Sequence, residues 1–279
     1  MSRRLNCSEH LIRIRLLKLS QQSILRHSQL SDHLKIEEPI VFDGLENFAE
    51  SQYNPNNINQ AIGKNSYFIY DFSYAPMNRK GTMSPRQHGI NLSLEKNKGR
   101  HDTSAIRKST ADILRRLFER KSPGKSFVLY SDKHFQYRKA IQIDLKDLDI
   151  THITISSKDT RNYQNHLFAI NHADLLIRQY IGAFSRETIC FSKTAQRMVG
   201  KYALFAAFKN YMRPIFVKKQ KKRPETNVVT PAMELGITSK ILQFHEFFDL
   251  RRLPSQVKLH AEFQAYHDER LTYTRQLVA

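Results

Sequence analysis

Cysteine is scarce in this sequence. Only Cys7 and Cys190 occur in 279 residues, far apart and without the spacing of metal ligands, which disfavours a disulfide framework and a cysteine-based zinc site. No apolar run approaches the roughly 20 residues that cross a membrane, and the start, MSRRLNCSEH, has no apolar signal core. Walker-type phosphate loops and the GxGxxG and GxSxG motifs are also missing. We therefore expect a reducing, cytoplasmic compartment and chemistry that needs none of these motifs.

Acidic residues are few relative to basic ones. The chain has 45 Lys and Arg against 26 Asp and Glu, which gives a net charge of +19 and a pI near 9.9. This charge favours a polyanionic partner, either nucleic acid or an anionic membrane surface, with a basic but otherwise ordinary enzyme as the alternative. Because the basic residues are spread along the chain, an extended nucleic-acid surface fits better than a single anchor, and no membrane partner is expected.

Apolar patterning in the first half predicts three strands. PIVFDGLENF indicates a short strand running into Asp43, which ends it, and the polar stretch 51–65 indicates a loop. Residues 66–77 are rich in aromatic and β-branched side chains at alternating positions and indicate a second strand. A third strand is predicted over 83–95. Before all of these, SEHLIRIRLLKL predicts a basic helix capped by Ser8, either part of a DNA-binding unit or packed on the main domain.

The second half alternates helices and strands. A helix capped by Asp102 is followed by the strand KSFVLYSD, which ends in Asp132, then a short helix, a fifth strand over 150–157, and helices over 167–183 and 194–211. Three consecutive strands are most simply a meander, and the later alternation suggests added parallel strands. The predicted fold class is α/β, an RNase H-like mixed sheet (three-strand meander plus parallel strands) flanked by helices, with short helical N- and C-terminal extensions.

Two aspartates at strand ends are the candidate catalytic residues. In the predicted topology the first and fourth strands are neighbours, so Asp43 and Asp132 meet at one edge of the sheet. Adjacent carboxylates repel each other and are tolerated when a cation lies between them. Mg²⁺ prefers oxygen ligands and retains some waters, so two protein ligands can suffice. Either aspartate alone could simply begin a loop, but the pair on a chain of charge +19 favours metal-dependent chemistry on nucleic acid.

The segments FDGLENF, YSDKHFQY, THITISSK, NHLFAINHADLLIR and RETICFSK occur in this order. Together they resemble the catalytic domain of insertion-sequence transposases with a DDE-type site, including the short elements whose third residue is Asn instead of Glu. The resemblance covers about residues 38–250, and RETICFSK is its most specific stretch. TPAMELGI is similar to the C-terminal tail of many such enzymes.

The resemblance implies an Asp-Asp-Asn site. Asp43 matches the first catalytic residue, Asp132 the second, and Asn171 the third, each as a catalytic residue and ligand of Mg²⁺ or Mn²⁺. An amide oxygen adds no charge, so metal binding should be weaker than in a triad of carboxylates. Asp174 lies three residues further along the same predicted helix and is the alternative third ligand.

The implied activity is metal-dependent strand cleavage and strand transfer at the ends of an insertion sequence, in the cytoplasm and nucleoid of a prokaryote. The partners would be the terminal inverted repeats and target DNA, bound by a homo-oligomer. Basic residues of the last helices and of a proline-flanked linker are the candidate phosphate contacts: Arg178, Arg186, Lys193, Lys218, Lys219, Lys221, Lys222 and Arg223.

Three domains are predicted: a short basic helical segment over 1–37, the RNase H-like catalytic domain over 38–215, and a basic linker with a helical tail over 216–279. Enzymes of this resemblance usually carry a zinc-binding or helix-turn-helix segment before the catalytic domain, and the first segment is short for that purpose. Two alternatives therefore stay open: a catalytically inactive DNA-binding remnant of a transposase, and a related metal-dependent nuclease that cuts without joining.

Overall fold

The chain forms two compact units. The computed structural model describes residues 6–156, 158–185, 190–216 and 228–271. The first unit consists of the described residues within Met1–Leu34, Ser66–Phe68 and Gln196–Leu271, and the second of those within Lys35–Asn65 and Ile69–Ala195. The three-domain division predicted from the sequence stays a prediction.

A mixed five-stranded sheet organises the second unit. Its strands are β1 (Ile40–Phe48), β2 (Pro55–Gly63), β3 (Ile69–Pro76), β4 (Phe127–Asp132) and β5 (Ile150–Ile155). The spatial order is β3-β2-β1-β4-β5. The first three strands form an antiparallel meander, and β4 and β5 are added parallel to β1. This arrangement confirms the predicted RNase H-like fold class.

Helices account for most of the remaining described residues. In chain order they are α1 (Glu9–Ser31), α2 (Pro85–Lys98), α3 (Ala105–Glu119), α4 (Phe135–Lys139), α5 (Phe168–Tyr180), α6 (Ala195–Ala207), α7 (Pro231–Glu234), α8 (Phe244–Phe248) and α9 (Ala261–His267). Wider π-helical turns continue α4 and α6, over Ala140–Asp144 and Phe208–Met212. Short 3-10 turns lie at Gly182–Phe184 and Pro254–Gln256.

Helices α3 and α5 cover opposite faces of the sheet. Asn59 on β2 donates a hydrogen bond to Ser109 of α3, and the next residue, Gln60, donates one to Asp174 of α5. Successive side chains of a strand point to opposite faces, so the two helices lie on opposite sides of β2. The core between these layers is apolar, and Phe42, which has no exposed surface, belongs to it.

Strand β2 corrects the sequence prediction, which placed a loop over 51–65. All nine residues of Pro55–Gly63 are buried, although several are polar. Several of their amide groups are hydrogen-bonded inside the unit: Asn57 donates to Asn59, and Asn59 to Ser109, whereas the side-chain oxygen of Asn57 has no partner among the described residues. Because these bonds offset the cost of burying amide groups, a strand rich in Asn and Gln is stable in the core.

Helix α2 is the second correction, since a strand was predicted over 83–95. The side chain of Ser84 accepts from the backbone of Gln87, and Gln87 accepts in return from the Ser84 backbone, with Pro85 at the first helical position. Gly99 ends the helix with a φ of 75°, a conformation that favours glycine. The sequence SPRQ is therefore a helix start, and the third strand of the meander is Ile69–Pro76 instead.

The first unit is built from α1 and the helices after Gln196. Ser8 caps α1 by accepting from the backbone of Leu11, as predicted, but the helix continues to Ser31. A close contact joins α1 to α6 and α9: the hydroxyls of Ser20 and Tyr266 are 2.6 Å apart, beside Gly200, where a Cβ would lie 2.3 Å from the Tyr266 hydroxyl. Only glycine fits at that crossing without displacing neighbours.

Candidate active site

Asp43 and Asp132 lie where two parallel strands separate. The last paired residues of β1 and β4 are Phe42 and Ser131, and the next residue on each strand is an aspartate. Strand β4 ends at Asp132, whereas β1 continues to Phe48 along β2. The neighbouring placement was predicted correctly. The prediction that Asp43 ends its strand was wrong, because β2 supplies hydrogen bonds to β1 beyond that point.

Asp43 is a partly buried carboxylate with acidic neighbours. Its Oδ1 accepts from the backbone N–H of Gly44 at 2.7 Å and faces the hydroxyl of Tyr137 at 3.5 Å. Burial raises the pKa of Asp43 to about 7, with further contributions from the charges of Asp132 and then Asp174. Asp132 and Asp174 are thus both within electrostatic reach of Asp43.

Tyr137 on α4 lines the site next to Asp43. It is 3% exposed, and its ring meets that of Phe42 edge-on at 5.0 Å between centroids. Burial and then the charge of Asp43 raise the pKa of Tyr137 well above 10. The hydroxyl is therefore protonated at neutral pH and donates toward Asp43.

Asp132 is held by the turn that follows it. Its Oδ1 accepts from the backbone N–H of His134 at 2.9 Å. The ring of His134 stacks on Phe135, and its Nδ1 is buried without a hydrogen-bond partner among the described residues. Burial lowers the pKa of His134, Asp132 raises it, and Lys80 lowers it, so Lys80 is within electrostatic reach of His134.

The two candidate third residues differ in their surroundings. Asp174 on α5 accepts a hydrogen bond from Gln60 at 2.5 Å, and its charge reaches Asp43. Asn171 lies one turn earlier and is half-buried. Within the described residues, its side chain makes no hydrogen bond. The structure thus places Asp174 within electrostatic reach of Asp43, and the role of Asn171 stays a prediction.

Gln60 is a site residue that the sequence did not reveal. It is fully buried, and in the β1–β2 register it lies directly opposite Asp43. Its segment reads as a polar loop, so no periodic signal marked it. The only available cue was the alternation of Ile58, Gln60 and Ile62 on one face, which is too short to outweigh the surrounding asparagines.

The predicted DNA-binding residues fall into two groups. Arg178 is half-buried, and its guanidinium faces the backbone oxygen of Phe184 at 3.5 Å. Lys193 is exposed, with its ammonium 5.9 Å from the centre of the Phe191 ring. The remaining predicted contacts lie outside the described residues: Arg186, Lys218, Lys219, Lys221, Lys222 and Arg223.

The donor set of this edge suits a hard divalent cation. Within the described ranges, no group of three or more His, Cys, Asp and Glu side chains is arranged to hold a metal ion. A pair of carboxylates is present, however, and the pKa of Asp43 is raised first by burial and then by the charges of Asp132 and Asp174. A cation that keeps several waters needs only such a pair, with one further oxygen nearby. Asp43 and Asp132 fit that requirement.

Comparisons with known proteins find similarity only at the level of structure. No protein-family model matches the chain. No curated protein matches it either. Among solved structures, the HTLV-2 integrase catalytic core domain in complex with magnesium, in its trimeric form, aligns with a TM-score of 0.32 and 9% identity over 72% of this chain and 97% of that one. The dimeric form gives 0.28 and 10%, over 70% and 99%.

A third solved structure is the simian T-cell lymphotropic virus intasome in complex with PP2A regulatory subunit B56 gamma. It aligns with a TM-score of 0.28 and 10% identity over 70% of this chain and 56% of that chain. The fold class rests on the sheet order and strand directions of this chain. Separately, none of the helices in the described part of the chain is long and apolar enough to span a membrane.

Proposed function

We propose that this chain is a DNA transposase that performs metal-dependent strand cleavage and strand transfer at the ends of an insertion sequence. One observation carries the proposal. Asp43 and Asp132 follow the last paired residues of two parallel strands in an RNase H-like sheet, and the charge of Asp174 reaches the same point. Ligands bind preferentially at such strand edges in α/β proteins.

The proposed metal ligands are Asp43 and Asp132, with Mg²⁺ or Mn²⁺ as the ion. Such an ion supplies an acidified water and neutralises charge on the reacting phosphate. The protein holds the ligands in place through the backbone N–H of Gly44, the hydroxyl of Tyr137 and the backbone N–H of His134. These donors leave the remaining carboxylate oxygens for the metal.

We assign the third position to Asp174. Asn171 is the residue implied by the resemblance, but the electrostatic reach of Asp174 to Asp43 favours the carboxylate one turn later. A third negative charge also strengthens the attraction for a divalent cation, which an amide does not. Asn171 stays the alternative, and the two are separated by mutation below.

Both proposed reactions exchange one P–O bond for another. In cleavage, a water oxygen bonds to phosphorus and the P–O3′ bond breaks, which leaves a 3′ hydroxyl and a 5′ phosphate. In strand transfer, that 3′ oxygen bonds to a target phosphorus and the target P–O3′ bond breaks. Because bonds of one type are formed and broken, a single site can serve both steps without an external energy source.

The overall charge supports DNA as the substrate. A net charge of +19 provides strong, sequence-independent attraction for phosphates. The proposed partners are the terminal inverted repeats and target DNA. Because two ends have to be joined to one target, we propose a homo-oligomer on the DNA, acting in the cytoplasm.

The test uses a linear duplex that carries the sequences flanking this gene, incubated with Mg²⁺ and a supercoiled target plasmid. The wild-type chain should nick the flanks and join them to the plasmid, and Asp132→Asn should do neither while still binding DNA. Asp149→Asn is the matched control, because Asp149 is exposed and precedes β5 at the opposite edge of the sheet. Cleavage by Asp132→Asn at the wild-type rate would sink the proposal. Cleavage without joining would identify a nuclease. DNA binding without cleavage or joining would identify an inactive remnant.

A further inference from the structure

Segment 79–100 leaves the sheet between β3 and α3 and contains α2. A single side chain closes its base: the amide of Asn78 donates to the backbone oxygen of His101 at 2.8 Å and accepts from the His101 N–H at 2.9 Å. The two ends of the segment therefore start and finish at nearly the same place. Segment 79–100 is thus an insertion between β3 and α3, called the excursion below, and it contributes no strand to the sheet.

Helix α2 buries almost none of its side chains. Of its fourteen residues, only Asn91 is buried, whereas α3 buries an apolar stripe that includes Ile113, Leu114 and Leu117. Isolated helices of this length are marginally stable in water. Local devices support α2, including the capping box at Ser84 and the basic residues of its last turn. A helix held by its ends and exposed along its length is available to a partner.

The charge of the segment identifies the class of partner. Residues 79–100 contain six Lys and Arg and one acidic residue, Glu95. Arg100 lies 3.7 Å from Glu95 and pairs with it, and the amide of Asn91 also donates to that carboxylate. The exposed Arg86, Lys96 and Lys98 form no salt bridge with an acidic side chain among the described residues.

The excursion is attached beside the candidate active site. The amide of Gln136, on α4, donates to the backbone oxygen of Thr103 at 3.2 Å, just after the segment returns. Gln136 is four residues beyond Asp132, in the short helix that follows β4. Lys80, at the other end of the excursion, is within electrostatic reach of His134. DNA that places a phosphate at Asp132 would pass close to this segment.

We propose that α2 is an accessory DNA-binding helix whose Arg86, Lys96 and Lys98 contact the phosphate backbone of duplex DNA next to the active site. The inference rests on the proposed function for the identity of the duplex, and it adds a surface that the predicted linker contacts do not include. Phosphate contacts of this kind position the duplex without reading its sequence.

The test is the salt dependence of binding to a duplex of arbitrary sequence. Binding is measured by fluorescence anisotropy, and EDTA is present so that no cleavage occurs. The variant carries Arg86→Gln, Lys96→Gln and Lys98→Gln. Each lost phosphate contact should reduce the slope of log K against log salt by about 0.9, or about 2.7 for three. The substituted side chains are exposed, so global thermal unfolding should change little, although Lys96 and Lys98 also favour the last turn of α2. If the triple variant does not fold, Lys98→Glu alone serves, with a reduction of about 0.9 or more.

The matched control carries Lys35→Gln, Lys125→Gln and Lys146→Gln. These lysines are also exposed in the second unit, but they precede β1, β4 and β5 and therefore lie at the edge opposite Asp132. The control should keep the wild-type slope. A wild-type slope in the α2 variant, or an equal reduction in the control, would overturn the inference. If the wild-type chain binds DNA with this salt dependence but never cleaves it, the proposed function is wrong. The proposed contact of α2 with DNA would still hold in that case.

Discussion

Gln60 on β2 donates a 2.5 Å hydrogen bond to the carboxylate of Asp174 on α5. The same glutamine is fully buried and lies opposite Asp43 in the β1–β2 register. The neutral side chain of Gln60 therefore lies beside Asp43 and is hydrogen-bonded to Asp174. Because an amide donates without adding charge, it can orient Asp174 without strengthening the repulsion already present at this edge.

Replacing Gln60 with Leu should weaken Mg²⁺ binding. A hydrogen bond to a charged group contributes about 1.5–3 kcal/mol, so the Mg²⁺ concentration for half-maximal cleavage should rise roughly tenfold or more. Asn59→Leu is the control, because Asn59 is equally buried but bonds to Ser109 on the opposite face. That variant should lose stability without a change in Mg²⁺ dependence. Equal Mg²⁺ dependence in both variants would argue against a positioning role for Gln60.

The third ligand can be identified by comparing three variants. If Asp174 is the ligand, Asp174→Ala should lose cleavage by a large factor, on the order of 100-fold or more, and Asn171→Ala should retain it. If Asn171 is the ligand, as the resemblance implies, Asn171→Ala should lose cleavage and Asp174→Ala should retain it. Asn171→Glu should then tighten Mg²⁺ binding. Titration of Mg²⁺ against cleavage rate separates these outcomes. Full activity in Asp174→Ala would refute our assignment.

Lys209 should make stability depend on pH. Burial and then the charge of Arg213 lower its pKa from 10.5 to about 7, and its ammonium donates to the backbone oxygen of Tyr67. Between these values the unfolded chain binds more protons than the folded one, so the free energy of unfolding rises with pH over that window and is lowest below it. Lys209→Met should remove this slope, because Met carries no titrating group, although it also loses the hydrogen bond to the backbone oxygen of Tyr67.

The measurement is chemical denaturation at several pH values between the two pKa values of Lys209. Lys258→Met is the control, because Lys258 is an exposed lysine in the same unit. It should follow the wild-type curve. A Lys209→Met variant that keeps the wild-type pH dependence would mean that the amine remains charged when folded.

The basic linker gives a separate prediction about DNA binding. Replacing Lys218, Lys219, Lys221, Lys222 and Arg223 with Gln removes five positive charges. If all five contact phosphates, the salt slope should fall by about 4.5, at about 0.9 per contact. Anisotropy titrations at several salt concentrations measure it. An unchanged slope would show that the linker is a solvated tether.

The strands β1 and β4 were recognisable in the sequence because both are largely apolar up to an aspartate. KSFVLYSD forms β4 as expected, and Asp132 ends it. The neighbouring position of β1 followed from the RNase H-like order of elements, and the parallel pairing of Phe42 with Ser131 confirms it. The adjacency of Asp43 and Asp132 could therefore be inferred before any coordinates.

The remaining errors have two physical causes. Residues 55–63 were taken for a loop because Asn and Gln normally mark surface, and their buried partners, such as Ser109 and Asp174, are distant in sequence. Residues 83–95 were taken for a strand although Ser84 and Gln87 form a capping box, a local signal that was available. The first error needed tertiary information, and the second did not.

The closure of segment 79–100 by Asn78 has an evolutionary consequence. Since both hydrogen bonds of the closure use only the Asn78 side chain and the backbone of His101, the rest of the segment can change in length and sequence without disturbing β3 or α3. Natural variants of this chain should therefore tolerate changes of length in this stretch as long as its basic residues are kept. For the same reason it is a natural place to exchange one helix for another, or to graft a foreign peptide, while the sheet folds as before.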